Sequence, residues 1–174
     1  MIRPEDMLSH ARSPVLRGVS VQAAPSETDA RRAVSAAYYA LFHLLAAEGA
    51  NTVAPPGVSG LRERVSRAFD HGQMRRVCDL FSRGSWGSAP AVRPLVASPL
   101  SPDLVRVAGA FVVLQDARHA GDHDLGSTLT QRDAVRLVLL AGDASDAWER
   151  VRGTPNAAVF LTALLLHERW NRRG

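Results

Sequence analysis

The sequence predicts an all-α fold, and three observations carry that expectation. Apolar residues recur every three or four positions through each long segment, cap signatures stand ahead of those segments, and no stretch alternates like a strand over a useful length. With 174 residues, of which 46% are hydrophobic, the chain can fill one sizeable core. A single domain over 1–174 is expected: a bundle of about six to seven helices with its core at about 25–153 and a C-terminal helix at 154–171.

Taken in order, residues 4–11 suit a short helix, and 13–25, with two prolines and a glycine, suit a connection. Ser26 followed by Asp29 reads as a capping box that launches a long helix over 30–49, ended by Gly49. Val34, Ala37, Tyr38, Leu41 and Leu45 fill one face of it, yet Ala33, Ala36, Ala40, Leu44 and Ala47 make much of the remainder apolar. A helix apolar nearly all round is buried on more than one side, which points to a dimer interface in addition to the core. Arg32, Tyr39 and His43 lie along one line of this helix, either as rim groups satisfied locally or as groups that bind a substrate.

Residues 51–60 form a loop rich in proline and glycine, and 61–81 read as two helical pieces broken at Asp70-His71-Gly72. Arg62, Arg64, Arg67, Arg75 and Arg76 decorate their outer faces, a row that is either solvated surface or an attractor for a polyanion. The stretch 84–98 is the most irregular, a loop either functional or mobile, with Trp86 and Arg93 as its handles. Ser101-Pro102 caps the next helix, Thr130 with Asp133 caps another whose apolar face runs from Ala134 to Val151, and Thr154-Pro155 caps the last. His10, His71 and His167 read as surface or capping groups.

Composition narrows the class of function. The net charge is +4 and every basic residue is arginine, whose flat fork of donors suits phosphate, although these arginines form no long run. The single Cys78 cannot form an internal disulfide, which fits a reducing compartment. The first residues carry acids and lack the apolar core of a signal peptide, and the longest uncharged apolar run, near 157–166, is too short to span a bilayer. A cytoplasmic protein without a membrane partner is expected.

The most informative stretch is 111–125, FVVLQDARHAGDHDL. On a helix, Leu104, Ala108, Phe111, Gln115, Arg118 and Asp122 form one stripe that passes from apolar to charged. Gly121 is expected to release the chain from the helix and turn His123 back toward Arg118. A guanidinium beside an imidazole at the end of an element is suited to phosphate; the competing reading is a buried ion pair of Arg118 with Asp122 or with an acid from another helix. Chance alone yields about two arginines with four to six residues before a histidine in a chain of this composition, so spacing is weak evidence. Three occur, Arg3 to His10, Arg64 to His71 and Arg118 to His123, and only the last pair has a polar residue, His119, directly after the arginine and sits at the charged end of an apolar helix. His119 and His123 also have the spacing of helical zinc ligands, but Ala120 stands where an HExxH motif has its glutamate, so neither metal nor cofactor is expected.

Two segments, ARRAVSAAYYALFHLLAAE at 30–48 and LQDARHAGDHDL at 114–125, resemble the HEPN family of all-α proteins, whose ribonuclease members carry an arginine, a polar residue, and a histidine after four to six intervening positions. The resemblance covers roughly 25–153. It implies a bundle of about five core helices, dimerised through the long helix and the motif helix so that two motifs face one cleft. It implies a metal-independent endoribonuclease that leaves 2′,3′-cyclic phosphate and 5′-OH ends, with Arg118 and His123 as the catalytic pair and His119 as the polar neighbour. Asp122, Arg32, Tyr39 and His43 are the accompanying candidates for binding substrate. RNA or a nucleotide is the implied ligand, and a toxin or phage-defence role with a cognate antitoxin or nucleotidyltransferase partner is the implied setting. Leu125 stands where toxins silenced by adenylylation have a tyrosine, which argues against that control. The alternative within the same resemblance is a catalytically inactive module that binds nucleotide, RNA or protein.

Overall fold

The computed structural model describes residues 26–54, 58, 60–87, 89–123 and 129–172, except for the side chains of Asp122 and His123. The expected helix at 4–11 and connection at 13–25 lie outside the described residues. Among the described residues six α-helices follow in order: α1 (Glu27–Val53), α2 (Leu61–Ser66), α3 (His71–Arg83), α4 (Pro102–His123), α5 (Gln131–Val151) and α6 (Pro155–Asn171). There is no strand among the described residues, so the all-α expectation holds. No helix among them is long and apolar enough to cross a membrane.

Local chemistry sets the helix starts. Ser26 and Asp29 exchange the two hydrogen bonds of a capping box ahead of α1, and Thr130 and Asp133 repeat it ahead of α5. The Asp70 carboxylate accepts from Gln73 N at the start of α3, and Thr154 Oγ1 accepts from Ala157 N at the start of α6, where Pro155 takes the first helical position. Gly84, at φ 60°, closes α3 in the left-handed conformation.

Helix α1 is the centre of the bundle and packs against α2, α4, α5 and α6. Ala33, Val34, Ala37, Tyr38, Ala40, Leu41 and Leu45 are all buried along it. Four helices of the same chain cover that part of the apolar circumference, while Ala36, Leu44 and Ala47 on the remainder are only partly buried. Around it, Trp148, Phe81, Phe111 and Phe160 fill the interior, each such side chain contributing about 1.5–3 kcal/mol through burial.

Two glycines read as helix ends lie inside helices. Gly49 is buried within α1, where its missing side chain makes room for the Phe69 ring from the turn between α2 and α3. Gly121 lies inside α4, which continues through it to His123, and the Arg31 guanidinium from α1 donates to its carbonyl. That contact satisfies one of the carbonyls a helix C-terminus leaves open, so α4 needs no glycine exit there.

The connection from 84 onward is a packed segment. Trp86 meets Phe81 edge-on at 5.0 Å, Ala89 and Val92 are fully buried, and Ala97 exchanges two backbone hydrogen bonds with the Asn156 side chain, at 2.9 and 2.8 Å. A short 3-10 turn at Arg93–Leu95 and a cis Ser98–Pro99 peptide complete it.

Two glycine substitutions separate packing from propensity. Gly49→Ala forces its new methyl into the Phe69 ring and is expected to lower stability by about 1–3 kcal/mol. Gly109→Ala, whose nearest neighbour is Ser82 Cβ at 3.8 Å, is expected to raise it by about 0.5–1 kcal/mol. Denaturant unfolding of both variants measures this, and a neutral Gly49→Ala would refute the close-packing account.

Candidate functional site

The charged end of α4 meets the middle of α1 and the first residue of α3. The stripe Leu104, Ala108, Phe111 and Gln115 is buried, and Arg118, one turn further on, is half-buried as the stripe approaches solvent. Its guanidinium lies over two aromatic faces, with Cζ 5.5 Å from the Tyr38 ring centre and 5.0 Å from that of Tyr39. Cation–π contact of this kind suits arginine, whose plane stacks where an ammonium would not.

Tyr38 anchors the cluster. Its ring is fully buried, 5.5 Å from Phe111 and 6.2 Å from Phe42, and its hydroxyl is 2.6 Å from Nδ1 of His71. The His71 ring stacks on Phe42 with centroids 4.1 Å apart and meets Tyr39 edge-on at 6.1 Å. The Gln115 amide donates to the His71 carbonyl at 3.3 Å, which ties the start of α3 to α4, while its buried Oε1 has no hydrogen-bond partner among the described residues. Tyr39 and His43, one turn apart on α1, stack at 6.1 Å with their planes 25° apart.

Burial and charge set the proton affinities. Burial pushes the Tyr38 phenol well above its ordinary value, against the opposing pull of Arg118, so the hydroxyl keeps its proton. Burial, and after it the Arg118 charge, holds the His71 imidazole below its ordinary value, with Asp70 acting in the other direction. The imidazole is therefore neutral near pH 7. His119, exposed on the same end of α4, also acts on His71 electrostatically.

Of the residues singled out from the sequence, Arg118, Tyr39 and His43 come together, with His119 at their margin. Arg32 does not join them: it is exposed toward the start of α1, where its charge acts on Asp29. The expected turn of His123 toward Arg118 is not made by the backbone. Helix α4 stays regular, and five positions on an α-helix are about 140° apart around its axis. The side chains of His123 and Asp122 lie outside the described residues, and with them the ion pair weighed for Arg118. Among the described residues no three His, Cys, Asp or Glu side chains gather as a metal site.

Two histidines read as surface groups are buried or half-buried. His71 belongs to the cluster, and no local pattern marks it, since its partner Tyr38 is 33 positions away. His167 is only 5% exposed and bonds Asn171 at 3.1 Å through Nε2. Its spacing from Phe160 and Leu164, on the buried stripe of α6, is a signal that was available. Tyr38 lies in the core as its helical face predicts, and its hydroxyl adds a polar link from α1 to α3.

Burial holds both His71 and His167 below the ordinary imidazole value, helped by Arg118 at the first and Arg76 at the second. The unfolded chain therefore takes up protons first on acidification. Their contribution is complete above about pH 6.5 and is lost as the pH falls from there through the folded-state values. Thermal melts are expected to show Tm falling below about pH 6.5. The fall is expected to be shallower in the double variant His71→Gln/His167→Gln, and an unchanged slope would contradict this assignment. Comparison with protein-family models, with curated proteins and with solved structures finds no match to this chain.

Proposed function

We propose that the chain is a metal-independent endoribonuclease of the HEPN type, working as a homodimer at the Arg118 end of α4. The observation that carries the reading is the seating of the Arg118 guanidinium. It is half-buried against two tyrosine faces, the same rings that His71 borders and, through Tyr39, His43 stacks on, in surroundings that strengthen its attraction for phosphate. In this reading His123 takes the proton from the 2′-OH, and Arg118 grips the phosphate and stabilises the charge that builds on it. The partner copy's histidine protonates the leaving 5′-oxygen, and a 2′,3′-cyclic phosphate results. His119 and Asp122 orient the base or hold substrate, and Tyr39 and His43 offer rings to an unstacked nucleotide. A toxin or phage-defence role, restrained by a partner protein, follows from the same reading.

A second reading, a binding module without catalysis, is favoured by two observations. Helix α4 continues through Gly121 to His123, and in the imidazole bordering the same tyrosine rings as Arg118, that of His71, Nδ1 is held by the Tyr38 hydroxyl. The two readings diverge in a cleavage assay. The nuclease is expected to cut RNA in the presence of EDTA, and Arg118→Ala or His123→Ala to lower the rate by about 10²–10⁴-fold. Growth arrest on bacterial expression is expected from the parent chain and not from His123→Ala. RNA binding with no cleavage above background would overturn the nuclease and leave the module.

A further inference from the structure

The Tyr38–His71 contact has a chemical content that the ribonuclease motif does not supply. The Tyr38 ring is fully buried, and Nδ1 of His71 is the only hydrogen-bond partner of its hydroxyl among the described residues. If Nδ1 carried the proton and donated, the phenolic O–H would be sealed in the core without an acceptor, an uncompensated loss of its bond to water. The hydroxyl therefore donates, Nδ1 accepts, and the one N–H of the neutral ring sits on Nε2. Nε2 has no hydrogen-bond partner in the described structure and is not among its sealed polar atoms. Arg118 lies over Tyr38 and Tyr39, and His71 lies 5.7 and 6.1 Å from the same two rings, so both donor groups border one aromatic pair.

We propose that the His71 Nε2–H and the Arg118 guanidinium form a two-point clamp on one phosphodiester group of RNA, with the Tyr38 hydroxyl selecting the tautomer that makes His71 a donor. His71 is then a binding residue with no proton to remove, and Tyr38 is a positioning residue that acts through it. The clamp rests on the ribonucleic-acid reading above and deepens it, because it names a phosphate-binding group from α3 that the Arg–His motif of α4 does not contain. The division of labour is physical. Arginine supplies charge, and the imidazole supplies a directed, uncharged donor whose ring is immobilised on Phe42. Protonating His71 is opposed by the charges facing it from α1 and α4, namely His43, His119 and Arg118, and is aided only by Asp70 on its own segment. The clamp therefore keeps its form across neutral pH.

Long-range 1H–15N spectra of the 15N-histidine-labelled chain near pH 7.5 test the tautomer in the native protein. The expected result is an Nε2-protonated His71 in the parent chain and a mixed population in Tyr38→Phe. An Nδ1-protonated ring would overturn the proposal. Titration with a 2′-deoxy oligonucleotide, which cannot be cut, tests the clamp. His71→Ala is expected to weaken binding about tenfold, and His71→Gln, whose amide N–H occupies the place of Nε2–H, to recover most of it. His71→Asn, which places its amide near Nδ1, is not expected to recover it. Equal binding by the parent chain and His71→Ala would overturn the proposal, as would binding of inorganic phosphate as tight as that of the oligonucleotide, which would assign the clamp to the free ion. The clamp and the nuclease fail separately. Binding that depends on His71 without cleavage removes the enzyme and keeps the clamp, whereas cleavage indifferent to His71 removes the clamp and keeps the enzyme.

Discussion

Helix α1 has to be covered on nearly every side, and the arrangement of the other helices follows from how that is done. Its alanines decide where neighbours can come close, since Ala33, Ala37 and Ala40 are buried to 1% exposure or less and present almost no side chain to the helices opposite. Its large residues, Tyr38, Leu41 and Leu45, fill the spaces between those approaches. Gly49 extends the same logic to the end of the helix, where the Phe69 ring takes the volume a side chain would need. Close packing of this kind leaves little freedom to shift one helix without disturbing the rest.

Apolar packing alone does not set helix register; polar groups at the seams do. Gln73 on α3 uses both ends of its amide against α6, donating to the Leu164 carbonyl at 2.7 Å and accepting from Glu168 N at 3.2 Å. Tyr38 and Gln115 do the same at the opposite seam, one through the His71 ring and the other through its backbone carbonyl. A buried polar group with one allowed partner is costly to misplace, so these contacts discriminate among packings of similar apolar area. The start of α3 is held at two points, and His71 is presented there as a consequence.

Several arginines pair with acids across helices. Arg75 bonds both carboxylate oxygens of Asp116 at 2.9–3.1 Å, Arg150 bonds Asp103, and Arg76 reaches Glu168 across α3 and α6. These pairs lie at the surface, where each side chain stays substantially wet and the net gain is small. Arg118 also has two aromatic faces beneath its guanidinium, and its charge acts on His71. The row of arginines on 62–76 is accordingly weaker evidence for a polyanion than its sequence suggested, because Arg67, Arg75 and Arg76 each pair with an acid and Arg62 donates to the Ala54 carbonyl.

What could be read from the chain was local. Helical periods, the cap boxes at Ser26 and Thr130, and the stripe from Leu104 to Arg118 depend on residues within one or two turns of each other and appear in the fold, whereas the break expected at Asp70-His71-Gly72 lies at 67–70, with His71 and Gly72 already inside α3 because Asp70 caps it. The glycines misled because conformational freedom and absence of volume are indistinguishable in a sequence: Gly84 ends its helix by the first, whereas Gly49 serves its helix by the second. The all-round apolarity of α1 showed that it is enclosed and left open by what, and the four helices of the same chain that largely enclose it became visible only in the assembled bundle. The sequence by itself therefore determined the helices, their caps and the charged end of α4. Tertiary structure alone decided that the Tyr38 hydroxyl meets His71 and that Arg31 caps Gly121, because contacts across 33 and 90 residues are set by helix packing and leave no periodic trace along the chain.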